Sequence, residues 1–139
     1  MLLLDTNILS EMMRPEPDRK VVDWIVRQPS VELHTAAVCQ AEVLAGLAIM
    51  PSGRRRTDLE EAARAMFTNE FGGHILPFDT DAASVYADVF AVRRKIGRPC
   101  GTVDLMLAAI ARVRGARVVT RNVSDFDGLG VAVVNPWDE

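Results

Sequence analysis

Four acidic residues stand out in this sequence because each lies in or beside an apolar segment: Asp5, Glu42, Asp104 and Asp125. Taken singly, each has an ordinary explanation as a helix cap, a partner of the helix dipole or a solvated loop residue. Carboxylates that converge without a cation repel one another, and a hard divalent ion removes that conflict. Mg²⁺ and Mn²⁺ prefer oxygen ligands, so an acidic set without His or Cys predicts one of these ions and the hydrolysis of a phosphodiester.

Glu42 is the most unusual of these acids because it interrupts a strongly apolar stretch. At helical spacing it shares a face with Val38, Ala45 and Ile49, and no cation lies near it in the sequence. An unpaired carboxylate is costly to bury. We therefore expect Glu42 to reach solvent, to pair with a distant arginine or to bind a metal ion.

The elements that must position these acids alternate between short strands and helices. Apolar runs predict strands over 2–4, 31–35, 74–78, 116–120 and 131–134, and helical spacing predicts helices over 8–14, 18–28, 36–49, 57–71, 79–97 and 103–114. Pro77 limits the third strand to a sheet edge or places the proline at the strand end, and Thr102 can cap the last helix. A helix after every strand predicts a parallel α/β sheet with helices on both faces.

This topology would bring the acids together at one edge of the sheet. Asp5 and the loop holding Asn122 and Asp125 follow predicted strands, while Glu42 and Asp104 lie near the starts of helices. In a parallel α/β fold, strand ends and the starts of the following helices share the edge at which ligands bind. We expect the acids to converge there.

Composition limits the remaining possibilities. A chain of 139 residues that is 49% apolar can bury one core, so residues 1–139 are expected to form a single domain. A net charge of −3 argues against holding nucleic acid by bulk electrostatics. Cys39 and Cys100 have no metal-ligand or redox spacing. The apolar start lacks the features of a signal peptide and no membrane span is apparent, so we expect a soluble, cytoplasmic protein that does not contact membranes.

With these residues identified, the chain resembles the PIN-domain family, and particularly its VapC and FitB toxins. The resemblance covers nearly the whole chain and is carried by several motifs in a fixed order. They are Leu3-Leu4-Asp5-Thr6-Asn7, Glu42, Leu76-Pro77-Phe78-Asp79, Asp104-Leu105-Met106-Leu107-Ala108-Ala109, Thr120-Arg121-Asn122 with Asp125-Phe126, and the closing Asn135-Pro136-Trp137.

The resemblance implies a three-layer α/β/α fold with a short, mainly parallel, twisted sheet, and an endoribonuclease that requires Mg²⁺ or Mn²⁺. It implies that Asp5, Glu42 and Asp104 bind the metal ion. It also suggests that Thr6 or Asn7 orders the first loop and that Thr120 faces the same pocket.

The fourth acid of the site is left open by the resemblance. Some family members carry an acid at the position of Asn122. Either Asn122 acts here as a neutral oxygen ligand or water holder, or Asp125 reaches into the site instead. We favour Asp125 as the additional negative charge.

The resemblance also implies partners. It predicts the toxin of a type II toxin-antitoxin system: a homodimer that cleaves RNA, is neutralised by a cognate antitoxin and meets operator DNA only through that antitoxin. Among the basic residues, Arg98 and Arg121 flank the expected site and are predicted to contact RNA phosphates. The remaining arginines, including Arg54 to Arg56 and Arg93, are expected to be solvated charges or partners of helix ends.

Two alternatives differ in chemistry. A receiver or dehalogenase-like phosphatase would need a lysine in its site, but Lys20 and Lys95, the only lysines, do not follow a suitable strand. A catalytically inert PIN-like module that binds RNA or protein would keep the fold, with Asn122 marking the loss of the site. Metal-dependent cleavage would separate this module from the enzyme.

Overall fold

The computed structural model describes residues 1–98 and 100–139 and contains a five-stranded sheet. The strands are β1 (Leu2–Leu4), β2 (Leu33–Ala36), β3 (Ile75–Leu76), β4 (Arg117–Val119) and β5 (Val133–Val134). Their order is β3-β2-β1-β4-β5, and every neighbouring pair is parallel. Leu3 and Leu4 of the central strand are fully buried, as expected for a continuous apolar run in a parallel sheet.

Six α-helices join these strands. They are α1 (Thr6–Met12), α2 (Arg19–Arg27), α3 (Ala37–Ala48), α4 (Arg54–Ala65), α5 (Thr80–Ile96) and α6 (Thr102–Arg114). From β1 the chain proceeds through β2 to β3 in one direction, then returns past β1 to β4 and β5. Because parallel crossovers are right-handed, this reversal assigns α1–α4 to one face and α5–α6 to the other. The predicted α/β class is therefore confirmed.

The reversal of strand order falls between β1 and β4, which are hydrogen-bonded neighbours with Leu4 opposite Val119. At such a point, adjacent connections leave the sheet toward opposite faces and open a crevice outside the carboxyl ends of the strands. Asp5 follows β1 and Thr120 follows β4, so both lie at this crevice.

Several predicted element boundaries were wrong. Ser30–Glu32 forms a 3₁₀ turn, so β2 begins at Leu33 rather than at residue 31. Helix α4 begins at Arg54, directly after Gly53, so Arg54 to Arg56 are helical rather than part of a loop, and the helix continues as a π turn over Met66–Glu70.

Two predictions about connections and caps also needed correction. Gly101, not Thr102, occupies the cap position of α6, and Thr102 is its first helical residue. No helix of regular length joins β4 to β5; a 3₁₀ turn at Val123–Phe126 does so, because Gly128 and Gly130 adopt positive φ angles that end regular structure.

The expected core and surface agree with the structure in most places. β3 lies at a sheet edge, as Pro77 predicts, and Asp79 caps α5 by accepting a hydrogen bond from the Ala82 amide at 2.9 Å. Met12 and Met50 are half-buried against the core and so serve as ordinary packing. Across the described residues, every helix is too short or too polar to span a bilayer.

Glu11 is a buried carboxylate that fastens α1 to the beginning of α2. Its side chain accepts a hydrogen bond from the backbone amide of Asp18 at 2.8 Å and contacts Arg14 at 3.4 Å, while only 7% of the residue is exposed. This hydrogen bond is part-buried and its acceptor is a carboxylate, and a hydrogen bond to a charged group contributes about 1.5–3 kcal/mol to stability. Glu11 therefore contributes to stability away from the crevice.

We predict that Glu11→Ala lowers the free energy of unfolding by about 1–3 kcal/mol, because the Asp18 amide loses its acceptor. Glu61→Ala, at an exposed position of α4, is the control and should change stability by less than about 0.5 kcal/mol. Urea unfolding followed by circular dichroism measures both. Equal stability of the two variants would show that the hydrogen bond from the Asp18 amide to Glu11 does not stabilise the fold.

Candidate functional site

Asp5 lies at the base of the crevice and is held by groups from both central strands. Its amide donates to the Val119 carbonyl at 2.9 Å, and 2% of the residue is exposed. Its Oδ1 accepts from the Thr6 amide at 2.7 Å. Its Oδ2 accepts from Thr120 Oγ1 at 2.8 Å and from Asn7 Nδ2 at 3.2 Å. The carboxylate is thus fixed before any ligand arrives.

Burial raises the pKa of Asp5, and the charge of Glu42 raises it further, while the hydrogen bonds from Thr120, Thr6 and Asn7 lower it. A carboxylate offers about four lone-pair positions. Since three hydrogen bonds reach Asp5, about one position is left for a cation. Asp5 is therefore an oriented ligand with one direction open.

Asn7 and Thr120 join the two loops at the floor of the crevice. Asn7 Nδ2 also donates to Thr120 Oγ1 at 3.1 Å, and Asn7 Oδ1 accepts from the Arg121 amide at 3.1 Å. Thr120, which is fully buried, also accepts from the Asn122 amide at 3.1 Å. These contacts place the sequence-predicted supporting residues around Asp5.

Glu42 lies in α3 and is exposed, on a helix face where Ile49 is also 86% exposed. The structure exposes Glu42 to solvent, and its role as a metal ligand stays a prediction. Its charge is nevertheless close enough to raise the pKa of Asp5 and of Asp104. Glu42 thus borders the crevice from its open side.

Asp104 lies in the first turn of α6 and is half-buried. Burial raises its pKa to about 7, and the charges of Asp5, Asp125 and Glu42 add to the shift, whereas Arg93 opposes it. The pKa of Asp104 thus responds to every other acid of the candidate set. Electrostatically, the four predicted acids form one group.

Asp125 and Asn122, the two alternatives for the fourth position, are placed differently. Asp125 is half-buried in the 3₁₀ turn after β4, and its charge acts on Asp104. Asn122 is exposed; among the described residues its amide makes a hydrogen bond and its side chain makes none. The partial burial of Asp125 and the effect of its charge on Asp104 therefore favour Asp125 over Asn122 as the additional acid.

The donor set can be compared with the needs of a metal ion. Among residues 1–98 and 100–139, no three His, Cys, Asp or Glu side chains lie in an arrangement that would hold one ion directly. Mg²⁺ keeps several waters and takes only one or two protein carboxylates. The all-oxygen chemistry and the mutual repulsion of the acids thus fit a hydrated divalent ion better than a dehydrated one.

Two neighbours of the acids were not identified from the sequence. Arg93 is 5% exposed rather than solvated, contrary to our expectation. Cys100 Sγ lies 4.0 Å from Asp104 Oδ2, and burial raises the pKa of this thiol to about 11. The burial of Arg93 could have been predicted from helical spacing, because Arg93 lies on the same face of α5 as the buried residues Ala82 and Val89.

A groove of about 860 Å³ opens beside the acids. Glu42 and Thr6 line it where it meets the crevice, and Arg54 and Arg55 line it at the start of α4. Apolar side chains, among them Leu47, form the rest of its wall. The groove offers an extended ligand apolar contacts beside Glu42 and charges of both signs at the start of α4, where Asp58 lies 3.9 Å from Arg54.

Comparison with known proteins agrees with this geometry. The PIN domain family model matches residues 2–130. The VapC ribonuclease Y4jK of Sinorhizobium fredii is 40% identical over 138 residues, covering 99% of each chain. The toxin FitB of Neisseria gonorrhoeae is 34% identical over 139 residues, covering 100% of each chain.

A solved structure of FitAB bound to an IR36 DNA fragment superposes with a TM-score of 0.89 at 34% identity, covering 99% of this chain and 96% of the other. The sequence match, the parallel sheet and the acids at its carboxyl edge lead to the same conclusion. The chain belongs to the PIN-domain family and is similar to its VapC and FitB members.

Proposed function

We propose that this chain is an endoribonuclease that hydrolyses phosphodiester bonds with the help of Mg²⁺ or Mn²⁺. The observation that carries the proposal is the electrostatic grouping of Asp5, Glu42, Asp104 and Asp125 at the carboxyl edge of the sheet. The relative named VapC ribonuclease supports the reaction class. Such an ion, when bound, would stabilise charge on the phosphate and lower the pKa of an attacking water.

The four acids would have different roles according to how deeply each is buried. Asp5 and Asp104 would hold the ion. Asp5 is fixed by hydrogen bonds and has one lone-pair direction open. Burial and the neighbouring acids raise the pKa of Asp104 to about 7, so a bound cation would favour its ionised form. Glu42 and Asp125 would act through the ion's waters. The exposure of Glu42 at the groove lets it orient a water against RNA lying there.

The partners follow from the relatives. We infer that the chain is the toxin of a type II toxin-antitoxin pair, because it matches the toxin FitB along its full length. A cognate antitoxin would neutralise it, and the pair would meet operator DNA through the antitoxin, consistent with the structure of FitAB on DNA. The exposed apolar face of α3, with Leu44 and Ile49, suits a protein partner, and a homodimer is part of the proposal.

An inert PIN-like module is the second candidate. It is favoured by one observation, that no three acidic side chains of the described part are arranged to bind an ion directly. Such a module would bind RNA or protein without cleaving it. The first experiment below separates the two candidates.

We predict that Asp5→Asn and Glu42→Gln each reduce Mn²⁺-dependent RNA cleavage by at least about 100-fold, because losses of 10- to 100-fold follow even from changes beside metal ligands. Glu42→Gln is the cleaner variant, since its exposure leaves the fold intact. Glu61→Gln, exposed on α4, is the matched control. A wild type that binds RNA without cleaving it, with binding unaffected by Mn²⁺ and by both substitutions, would support the inert module, and Mn²⁺-dependent cleavage that both variants retain would contradict the proposed site.

Burial of Asp104, together with repulsion from the neighbouring acids, makes a second prediction, measured in EDTA. The pKa of Asp104 in the folded chain is about 7, above its ordinary value of 3.8. The folded state therefore holds a proton that the unfolded state has lost, and stability falls as pH rises from about 4 to about 7. Asp104 should contribute a fall of about 1–2 kcal/mol, after discounting for solvent screening.

Urea unfolding at several pH values tests this contribution by comparing wild type with Asp104→Asn. The control is Asp88→Asn, at an exposed position on α5.

At pH 7 we expect Mn²⁺ to raise the melting temperature of the wild type, because binding to the folded state alone stabilises it. Parallel pH profiles for wild type and Asp104→Asn would contradict the raised pKa of Asp104, and an unchanged melting temperature would contradict binding of the ion.

The structure separates the two arginines predicted to contact RNA. Arg98 pairs with Asp127 at 3.2 Å, both side chains being about half exposed. Arg121 has no carboxylate within 4.0 Å among the described residues. Its guanidinium lies 4.7 Å from the centre of the Trp137 ring, and Asn7 holds its amide. Arg121 is thus a positioned cation beside the acids and the better candidate for a phosphate contact.

We predict that Arg121→Gln weakens RNA binding and lowers the slope of log affinity against log salt by about one, the value for one lost phosphate contact. Arg98→Gln should change the slope by less, since Asp127 already neutralises it. Fluorescence anisotropy of labelled RNA, measured in a Glu42→Gln background, gives both slopes. Equal slopes for the two variants would remove the distinction.

A further inference from the structure

Arg93, in the last turn of α5, is a buried cation next to the acidic site. It is 5% exposed, and its Nη2 donates to the backbone carbonyl of Ser124 at 3.5 Å and to that of Asp125. These two carbonyls belong to the 3₁₀ turn that follows β4. Arg93 of α5 therefore forms hydrogen bonds to the 3₁₀ turn after β4, about 30 residues further along the chain.

The partners of Arg93 are unusual for a buried arginine. Among the described residues, no carboxylate lies within 4.0 Å of its guanidinium, and its Nε has no hydrogen-bond partner. A buried charge without a direct counter-ion costs several kcal/mol unless neighbouring charges offset the cost. The acids supply that offset, because the charge of Arg93 acts on Asp104 and lowers its pKa.

The two accepting carbonyls lie on either side of one residue. The Ser124 carbonyl belongs to the peptide that precedes the Asp125 α-carbon, and the Asp125 carbonyl belongs to the peptide that follows it. Fixing both peptide planes fixes the backbone dihedrals of Asp125 and so the direction in which its side chain leaves. Phe126, which is 2% exposed, anchors the same turn in the core.

We propose that Arg93 is a positioning residue that holds Asp125 toward Asp104, so that an acid three residues beyond Asn122 completes the site. The proposal rests on the proposed function, for which this acid matters. Cys100 lies in the same contact region, with its Sγ 3.6 Å from the Asp125 carbonyl oxygen. Arg93 thus acts on the proposed reaction through Asp125, without contacting RNA or the ion.

A positioning role and a purely electrostatic role make opposite predictions. Removing a positive charge near a cation site should strengthen binding of Mn²⁺ by electrostatics alone. If Arg93 acts by holding Asp125, Arg93→Met should instead weaken Mn²⁺ binding, by about tenfold, as for other residues that orient ligands. Calorimetric titration of the whole chain with Mn²⁺ measures this change.

A double-mutant cycle tests whether the effect passes through Asp125. We expect Asp125→Asn alone to weaken Mn²⁺ binding about tenfold, and Arg93→Met to add less than about twofold in the Asp125→Asn background. Arg94→Met, at an exposed neighbour on α5, is the matched control. Arg93→Lys keeps the charge but lacks the planar fork, so it should also weaken binding and serves if Arg93→Met does not fold.

Hydrogen-deuterium exchange of the metal-free chain gives a readout that does not depend on the proposed reaction. We expect Arg93→Met or Arg93→Lys to increase exchange in the segment 122–127 while the amides of β1 and β4 keep their protection. Unchanged exchange there, or equal losses of Mn²⁺ affinity with and without Asp125, would overturn the role of Arg93. A wild-type chain that does not bind Mn²⁺ would instead count against the proposed function.

Discussion

The site is organised around the buried carboxylate of Asp5. Burying this group removes its hydration, and that loss has to be offset by other interactions. An ionised group at this depth is stable only where donors and a counter-charge surround it. Thr120, Asn7 and the Thr6 amide supply the donors, and they come from the segments that follow β1 and β4. Their arrangement couples the register of β1 and β4 to the orientation of one carboxylate.

The other acids increase the demand for a counter-charge. The charges of Asp5, Asp125 and Glu42 all act to keep Asp104 protonated, and burial acts in the same direction. Among the described residues, Arg93 supplies a positive charge that opposes this shift, and Arg93 also donates to the backbone of the turn carrying Asp125. Arg93 therefore affects both the repulsion among the acids and the position of the turn that carries Asp125.

The exposed and buried parts of the site differ in their chemical character. Asp5 and Thr120 form a closed, hydrogen-bonded floor, whereas Glu42 stands at the edge of an open groove lined by apolar residues and by arginines of α4. Arg121 lies on the side of β4, held over Trp137. A net-negative chain thus has local positive charge on two sides of its acidic centre, which suits a polyanion that must approach carboxylates.

The sequence alone determined the α/β class and the parallel strands, and it limited β3 to a sheet edge or a strand end, because apolar runs, turn residues and strand-helix order are local signals. The convergence of the four acids on one ion stays a prediction. It misplaced the start of β2 and the cap of α6, where neighbouring contacts outweigh propensity. Only the tertiary structure decided that Glu42 is exposed, that Asp125 is half-buried while Asn122 is exposed, and that Arg93 is buried. These features depend on contacts between residues distant in sequence, and the burial of a charged side chain depends on what the rest of the chain packs against it.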